Sequence, residues 1–241
     1  MENMSRAIVI ARRELASYFH SPIAYVAMFA FLLACGGLFW DDFQPGQPAA
    51  MRTLFEWMVW LLVIIVPLLC MGLLAQEWAS GTIETMMTAP VGETDVVMGK
   101  FIGSLAFFIV LLAPTLLYVV MLLIYGHPQA GPILSGYLGI VLVGALFISI
   151  GLFCSSLTRS QVVAAVATAA ILFLVTIAPW WASSKAALND FWRAVTNQGV
   201  FAHYTDFSKG VIDTGHLIFF VAVTSVFLFL TVKVLESRRW K

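Results

Sequence analysis

The stretch WMVWLLVIIVPLLCMGLLA, residues 57–75, decides the fold class, because none of its 19 side chains is charged. About 20 apolar residues in a helix that rises 1.5 Å per residue cross the roughly 30 Å hydrocarbon layer of a bilayer. Hydrophobic types make up 61% of the whole chain and charged types 11%, against about 25% charged residues in a typical soluble domain. This composition leaves too little polar surface to cover a globule, so the sequence predicts an integral membrane protein.

Five other runs are apolar over a similar length. We therefore expect an all-α integral membrane protein with a single transmembrane domain over residues 1–241. Its loops then alternate between the two sides of the membrane, with a polar loop at 76–99 and a long loop at 181–215. The six spans are predicted near 22–40, 57–75, 100–125, 133–154, 162–180 and 216–234.

The distribution of basic residues predicts the orientation. Nine of the 13 Lys and Arg residues fall on the side of the two termini, and four fall on the other side. Cytoplasmic loops carry the excess of Lys and Arg, so both termini are predicted to be cytoplasmic. The nine are Arg6, Arg12, Arg13, Lys100, Arg159, Lys233, Arg238, Arg239 and Lys241, and the four are Arg52, Lys185, Arg193 and Lys209.

Residues 4–20 have the periodicity of an amphipathic helix, with Ile10 as the exception. Such a helix is expected to lie flat on the cytoplasmic surface of the membrane. A solubilising tail is the alternative interpretation. At 100° per residue, the apolar face carries Ile8, Ala11, Leu15, Tyr18 and Phe19, and the polar face carries Arg6, Arg13, Glu14 and Ser17.

The loop at 76–99 is polar but shows helical spacing. Ser80 is a candidate N-cap for a short helix that Pro90 ends. Ile83, Met86 and Met87 follow at i, i+3 and i+4, which places an adaptable apolar surface on one side of that helix. Such a surface at the edge of the membrane indicates a docking site for a partner protein.

These residues resemble the signature of ABC-2-type permeases, the membrane subunits of ATP-driven exporters. The resemblance continues through SSLTRS at 155–160 in the second cytoplasmic loop. The stretches DFSKGVID at 206–213 and LESRRW at 235–240 resemble the gliding-motility-associated subgroup of that family. The residues of the first loop that carry the resemblance are Glu77, Ser80, Gly81, Thr82, Glu84, Met86, Met87, Pro90, Gly99 and Lys100.

The resemblance implies a division of labour between subunits. Residues 4–20 would be an elbow helix, and residues 81–90 would be the coupling helix that docks on a separate cytoplasmic ATPase, which binds ATP and Mg. A second permease copy or a related permease, and an accessory subunit with an extracytoplasmic domain, are implied partners in a bacterial cytoplasmic (inner) membrane. The implied ATPase-coupling residues are Glu77, Gly81, Thr82, Ile83, Glu84, Met86, Met87 and Pro90.

The sequence lacks recognisable catalytic motifs. It contains no G-x-x-x-x-G-K-[ST] phosphate loop, no H-E-x-x-H and no plausible Ser/His/Asp set, so we expect no enzyme activity, cofactor or metal in this chain. The formal net charge is zero, so the chain has no excess of positive charge that would attract nucleic acid. The predicted span centres carry no ionisable side chain, which disfavours an ion-coupled carrier. A structural membrane anchor of an envelope machine remains an alternative to the permease.

Two pairs of small residues and two prolines mark positions where spans pack or bend. The pairs Gly99-x-x-x-Gly103 and Ser135-x-x-x-Gly139 offer surfaces for close helix contact, although glycine is common in membrane spans anyway. Pro67 and Pro114 are candidate hinges or static kinks. Span hydroxyls either line a substrate path or bond to backbone carbonyls; they are Thr115, Tyr118, Ser135, Tyr137, Ser149, Thr168 and Thr176.

The outer loop alternates aromatic and polar residues, which is typical of short helices at a membrane interface. A possible outer gate comprises His203, Tyr204, Asp206 and Lys209. The alternative is a belt of interfacial aromatic residues that includes Phe201, Tyr204 and Phe207. His203 has no second His or Cys close by in sequence, so a metal site is not expected there.

Overall fold

The structure is a computed structural model that describes residues 2–42, 51–82, 92–126, 128–183, 190, 196 and 199–239. These residues form helices and no strand. The helices are α1 Glu2–His20, α2 Pro22–Asp42, α3 Arg52–Cys70, α4 Ala75–Ser80, α5 Glu93–Leu112, α6 Leu116–Tyr125, α7 Ala130–Leu157, α8 Gln161–Ser183, α9 Val200–Ser208 and α10 Thr214–Arg239, with a 3₁₀ turn at Ala113–Thr115 between α5 and α6.

Six segments are long and apolar enough to cross a membrane, which confirms the predicted all-α architecture with six spans. Several helices continue past the predicted ends, since hydropathy detects only the part of a helix that matches the hydrocarbon layer. The third span, for example, begins at Glu93 rather than near residue 100. The segments are Pro22–Asp42, Arg52–Ser80, Glu93–Tyr125, Ala130–Leu157, Gln161–Trp181 and Thr214–Arg238.

Spans two and four form the centre of the bundle. In their most apolar parts 67% and 72% of the residues are buried inside the chain, compared with 22% in spans five and six. Helix α7 contacts α3, α5, α8, α9 and α10, so it is the element around which the others pack. Large apolar side chains remain exposed on spans one, five and six, as is typical of surfaces that contact lipid or another membrane protein.

Both proline positions interrupt regular structure to different degrees. Pro67 lies inside α3, which continues to Cys70 before the turn at 71–74. Pro114 lies in the 3₁₀ turn that divides the third span into α5 and α6. Proline lacks a backbone donor, so it cannot complete the helical ladder at these points. The 3₁₀ turn at Pro114 is a feature of the structure, whereas a kink or hinge motion at either proline stays a prediction.

Helix α1 packs along α5 through a face that only overlaps the predicted apolar face, and the contact of that apolar face with the membrane stays a prediction. Ala7, Ala11 and Tyr18 are buried, whereas Ile8 is 50% exposed. Ile10, the exception to the predicted pattern, is partly buried and packs against the core, and Glu14 turns toward α5. Small side chains allow close helix contact in membranes, so they occupy this face in place of the larger apolar residues.

Both pairs of small residues mark real interfaces. A Cβ atom at Gly99 would lie 2.7 Å from Ile10 Cβ, and one at Gly103 would lie 2.8 Å from the Ala11 carbonyl oxygen. These approaches are closer than a side chain permits, so the first pair brings α5 against α1. A Cβ atom at Gly139 would lie 2.9 Å from Tyr204 of α9.

Most of the span hydroxyls have structural partners. Ser149 and Thr168 bond to carbonyls of their own helices, at 2.7 and 2.8 Å. Tyr118 donates across the bundle to the Leu32 carbonyl at 3.2 Å. Thr115 donates to the Leu112 carbonyl and also meets the Tyr137 hydroxyl at 2.9 Å. These bonds support the packing interpretation of the hydroxyls over a substrate path.

Candidate functional site

The candidate residues lie at two opposite ends of the bundle. Ser155 near the end of α7 contacts the turn before α4, and Ser135 near its start contacts α9. Twenty residues of helix separate them, which is about 30 Å. Glu77, Gly81 and Thr82 therefore lie at one end, and His203, Tyr204, Asp206 and Lys209 lie at the other. Of the predicted coupling residues, Ile83, Glu84, Met86, Met87 and Pro90 lie outside the described residues.

A buried lysine joins three elements at the α4 end. Lys100 of α5 is 2% exposed, and its Nζ lies 2.8 Å from Glu77 Oε1 of α4 and 3.0 Å from Glu14 Oε2 of α1. We call these three residues the Lys100 cluster. Glu77 and Glu14 are also largely buried, with side chains 19% and 18% exposed. The cluster connects the N-terminal helix, the start of the polar loop and the start of span three.

The energetics of the Lys100 cluster favour a fixed geometry. An ammonium removed from water is costly unless it is paired and hydrogen-bonded, and both carboxylates lie within bonding distance here. Glu77 Oε2 is buried, and no residue in the described part of the chain bonds to it. Moving α1 or α4 alone would therefore leave a buried charge without its partner. The cluster therefore restrains the positions of the three helix segments relative to one another.

Ser155 supports the same end of the molecule. The first helical amides of α4 need partners outside the helix, and the backbone nitrogens of Leu74 and Ala75 both donate to Ser155 Oγ at 3.0 Å. Ser155 in turn donates to the Met71 carbonyl at 3.3 Å. Ser155 therefore caps α4 from α7 and fixes the turn that separates α4 from span two.

Ser80 is the last residue of α4, and its predicted role as the N-cap of a following helix stays a prediction, because that helix lies outside the described residues. Its hydroxyl donates to the Gln76 carbonyl at 2.9 Å, one turn earlier in α4. Gly81 follows with φ of 71°, a left-handed conformation that glycine adopts without steric cost. The chain thus changes direction at Gly81, within the segment of predicted coupling residues.

Arg238 joins the end of α10 to this region. Its guanidinium donates from Nη2 to the Leu157 carbonyl at 2.6 Å, and its Cζ lies 4.8 Å from the centre of the Trp78 ring. The first contact satisfies a terminal carbonyl of α7, and the second is a cation–π contact with α4. Arg238 therefore links spans four and six to the helix that carries Glu77.

A cleft of about 260 Å³ lies beside the Lys100 cluster. It is bounded by the α1–α2 turn, the end of α3, the 71–74 turn and the start of α8. Its lining mixes polar groups such as His20, Gln76 and Gln161 with apolar side chains such as Leu68 and Ile23. Such a lining suits an amphipathic group better than a small ion.

At the opposite end, α9 carries a chain of polar contacts to the start of α10. His203 Nδ1 lies 2.7 Å from His216 Nδ1, and His216 Nε2 lies 2.9 Å from Asp206 Oδ2. Lys209 Nζ lies 3.4 Å from Asp206 Oδ1, so it is farther from this carboxylate than His216 is. We call His203 and His216 the histidine pair. The two histidines are 13 residues apart in sequence and lie on different helices that a loop joins. No local sequence pattern therefore predicts that they meet.

The aromatic residues of α9 do not form the alternative interfacial belt. Tyr204 and Phe207 are fully buried and pack on Gly139 of α7. Ser135 fixes the same contact by donating to the Phe207 carbonyl at 2.7 Å. Burial raises the pKa of the Tyr204 phenol well above its usual value. Helix α9 is therefore anchored to the bundle core by its aromatic side chains.

The pKa values of His203 and Asp206 are shifted in the direction that their contacts predict. The pKa of His203 is lowered by burial and then by the neighbouring His216, although Asp206 opposes the shift. The pKa of Asp206 is lowered chiefly by the hydrogen bond from His216, with Lys209 adding to the effect. Within the described residues, no group of three His, Cys, Asp or Glu side chains is arranged to hold a metal ion.

A comparison with known protein families shows to which family this chain belongs. A family described as ABC-2 family transporter protein matches residues 10–191, which is most of the chain. The chain belongs to the ABC-2 transporter family. No curated protein matches it significantly. Members of the ABC-2 family are membrane subunits of transporters, and the ATPase is carried by a separate subunit. The six spans of this ABC-2 protein fit a multi-pass membrane component.

Proposed function

We propose that this ABC-2 protein is the membrane subunit of an ATP-driven export complex in a bacterial cytoplasmic membrane, with both termini in the cytoplasm. It forms the substrate path and has no ATPase site of its own. Its partners are a cytoplasmic ATPase that binds ATP and Mg, and a second permease copy or a related permease. The resemblance to the gliding-motility-associated subgroup adds an accessory subunit with an extracytoplasmic domain.

The observation that carries this proposal is the Lys100 cluster. Glu77 lies at the start of the segment that carries the predicted coupling residues, and Lys100 ties it to α1 and to span three. A force applied to the loop after Gly81 reaches span three directly through Lys100 and spans four and six through Trp78 and Arg238. Allosteric coupling needs this kind of shared element that changes position as a unit.

The predicted coupling residues take their role from this connection. Glu77, Gly81 and Thr82 begin the segment, and Ile83, Glu84, Met86, Met87 and Pro90 continue it toward the ATPase. An adaptable apolar surface that contains methionines suits docking on a second protein. ATP-driven closure of the ATPase subunits would then displace the segment and the spans attached to it.

The test is purification of the tagged protein from native membranes, followed by identification of stoichiometric partners and an ATPase assay. We expect a subunit with a phosphate loop, whose ATPase response is altered by Glu84→Ala. Glu56→Gln is the matched control, because Glu56 is an exposed carboxylate at the opposite end of span two. Its ATPase response should equal that of the unmodified complex.

Two other outcomes would replace the proposal. Recovery of the intact protein with partners that hydrolyse no nucleotide would indicate a structural anchor of an envelope machine. Substrate or ion transport by the purified chain alone in liposomes, driven by an ion gradient, would indicate a carrier. The predicted absence of charge at the span centres makes the second outcome the less expected one.

A further inference from the structure

We propose that the histidine pair and Asp206 form an acid-sensitive latch between α9 and the start of α10. The latch stays closed when the pair carries zero or one extra proton, and it opens when both imidazoles are charged. This inference goes beyond the proposed export function, because it concerns the outer end of the bundle and requires no ATPase.

The hydrogen-bond geometry determines where the protons lie. An ionised carboxylate only accepts, so His216 Nε2 donates to Asp206 across 2.9 Å. In the neutral pair His216 Nδ1 is then the acceptor, and His203 Nδ1 donates to it across 2.7 Å. The remaining nitrogen, His203 Nε2, is unprotonated, buried and without a partner in the described part of the chain.

The first extra proton, taken from solvent, is compatible with the closed latch. It occupies His203 Nε2, so the two rings together hold three protons, one of them shared between the Nδ1 atoms. The shared bond becomes charge-assisted, and the carboxylate of Asp206 balances the added charge. The contact between α9 and α10 is therefore retained.

The second extra proton breaks the contact. It places an N–H on both Nδ1 atoms, which face each other at 2.7 Å without an acceptor between them. Two like charges at this distance in a partly buried site repel strongly.

The surroundings of the pair do not offset this repulsion. On α9 the charged neighbours are Asp206 and Lys209, whose charges have opposite sign. Asp213 precedes α10 and accepts from the Gly215 amide. On α3 the Arg52 and Glu56 pair is bonded to itself, and α7 faces α9 with Ser135 and Gly139, which do not titrate.

The latch has a mechanical consequence because His203 also packs on the face of span six. Its ring stacks on Phe219 at 3.9 Å between centroids. The other side of α9 is held by Tyr204 and Phe207 on α7. Opening the histidine pair therefore releases α9 from α10 and leaves α9 held mainly by α7, so α9 becomes less stable. In the proposed orientation this end faces away from the cytoplasm and senses the external pH.

Acid favours opening of the latch through both His203 and Asp206. The pKa of His203 is lowered by burial, so charging this group costs more in the closed state, and acid opens the latch. The pKa of Asp206 is lowered by its bond from His216, so its contribution is present at neutral pH and is lost as the pH falls. Below the ordinary imidazole pKa of about 6.5, opening is expected to increase about tenfold per pH unit for each proton taken up on opening.

The test uses the full chain in lipid nanodiscs with ¹⁵N-labelled histidine. The chain contains four histidines, His20, His127, His203 and His216, so the imidazole signals are few enough to assign. We expect a scalar coupling between the two Nδ1 nuclei at pH 8, which disappears when the second proton binds. Amide protection of α9, corrected for the intrinsic pH dependence of exchange, should fall over the same pH range.

Three variants separate the latch from a structural contact. His203→Phe keeps the stacking on Phe219 but removes the histidine pair, so the acid response of α9 should fall to the smaller part that Asp206 and His216 supply. His20→Gln is the control, because His20 is exposed and bonds to its own helix; it should retain the full acid response. Asp206→Asn removes the compensating charge, so opening should begin at a higher pH.

Three results would overturn the latch. They are absence of the coupling between the Nδ1 nuclei at pH 8, loss of that coupling without a fall in α9 protection, and an acid response in His203→Phe equal to that of the unmodified chain. None of these measurements involves nucleotide hydrolysis or transport. The export function can therefore fail while the latch stands, or the reverse.

Discussion

Lys100 Nζ lies 2.8 Å from Glu77 Oε1, and this contact connects the first turns of span three to the short helix that carries the first of the predicted coupling residues. Both side chains are largely removed from solvent. Glu14 completes the arrangement from the N-terminal helix. The position of α4 relative to α1 and span three thus depends on a single buried ammonium.

Replacing Lys100 by methionine should destabilise the protein strongly. The change keeps the length of the side chain but leaves two carboxylates buried without their cation. Removing one partner of a buried ion pair costs about 3–5 kcal/mol. The free energy of unfolding, measured by denaturant titration in mixed micelles, should fall by this order.

Lys233→Met is the matched control for Lys100→Met. Lys233 also lies in a helix and bonds a carboxylate, Glu236 at 2.7 Å, but the two side chains are 53% and 40% exposed. An exposed pair of this kind contributes about 0–1 kcal/mol. Equal losses in the two variants would show that burial of the Lys100 cluster has no energetic role.

Ser155→Ala should destabilise the turn before α4. The substitution removes the acceptor of the Leu74 and Ala75 amides, which are both buried at the helix junction. An unsatisfied buried donor costs about 1–3 kcal/mol. The unfolding measurement should show a loss of this order, and amide exchange should speed up at residues 74 and 75.

Ser225→Ala tests whether any loss of a hydroxyl has this effect. Ser225 is exposed on α10 and donates only to the Val221 carbonyl of its own helix. Its replacement should change stability by no more than about 0.5 kcal/mol. A Ser155→Ala variant that is as stable as Ser225→Ala would contradict the capping role of Ser155.

Hydropathy predicted the spans because each must cover the bilayer by itself. The length and apolarity of residues 57–75 are local properties, and the structure retains them in α3 and the turn that follows. The same reasoning does not locate helix ends, because polar residues such as Glu93 continue a helix into the interface. The prediction was therefore accurate for the spans and less so for their boundaries.

The two clusters could not be predicted from local patterns. Glu14 is 86 residues from Lys100 in sequence, and no periodicity relates them. One signal was present, since Lys100 is an isolated charge at the start of an apolar run, and such charges are costly unless paired. His216 likewise gave no local signal, because its partner belongs to a different helix.

The face of α1 shows a further limit of periodicity. The hydrophobic pattern favours a stripe that contains Ile8 and Phe19, which the structure leaves exposed. A membrane offers lipid as an apolar surface, so large apolar residues need no protein partner. Close packing instead selects small residues, and the pair Gly99 and Gly103 gave the better prediction of contact.

Gly99→Ala and Gly103→Ala should each separate α1 from α5. The added Cβ atoms would lie 2.7 Å from Ile10 Cβ and 2.8 Å from the Ala11 carbonyl, so one helix must shift. Overpacking of this kind costs about 1–3 kcal/mol. Thermal unfolding in nanodiscs should show a lower midpoint for both variants.

Gly37→Ala provides a control of opposite sign. A Cβ atom at Gly37 has no neighbour within 4 Å, and alanine is favoured over glycine inside a helix by about 0.5–1 kcal/mol. Its unfolding midpoint should be unchanged or higher. If Gly99→Ala behaved in the same way, the close contact between α1 and α5 would not exist.

Arg238→Ala should loosen α4 although Arg238 lies in the last turns of span six. The variant loses the cation–π contact with Trp78 and the hydrogen bond to the Leu157 carbonyl. A cation–π contact of this kind contributes about 0.5–2 kcal/mol, so amide protection in residues 75–80 should fall roughly fivefold.

Arg238→Lys keeps the charge but not the planar face that stacks on the indole, and an intermediate loss is expected. Lys233→Ala, five residues earlier in the same helix and in contact with Glu236 and Phe229 of that helix, should leave α4 protection unchanged. A fall of equal size in Lys233→Ala would assign the effect to general weakening of α10, whereas a fall confined to the Arg238 variants would show that span six holds the helix that carries Glu77.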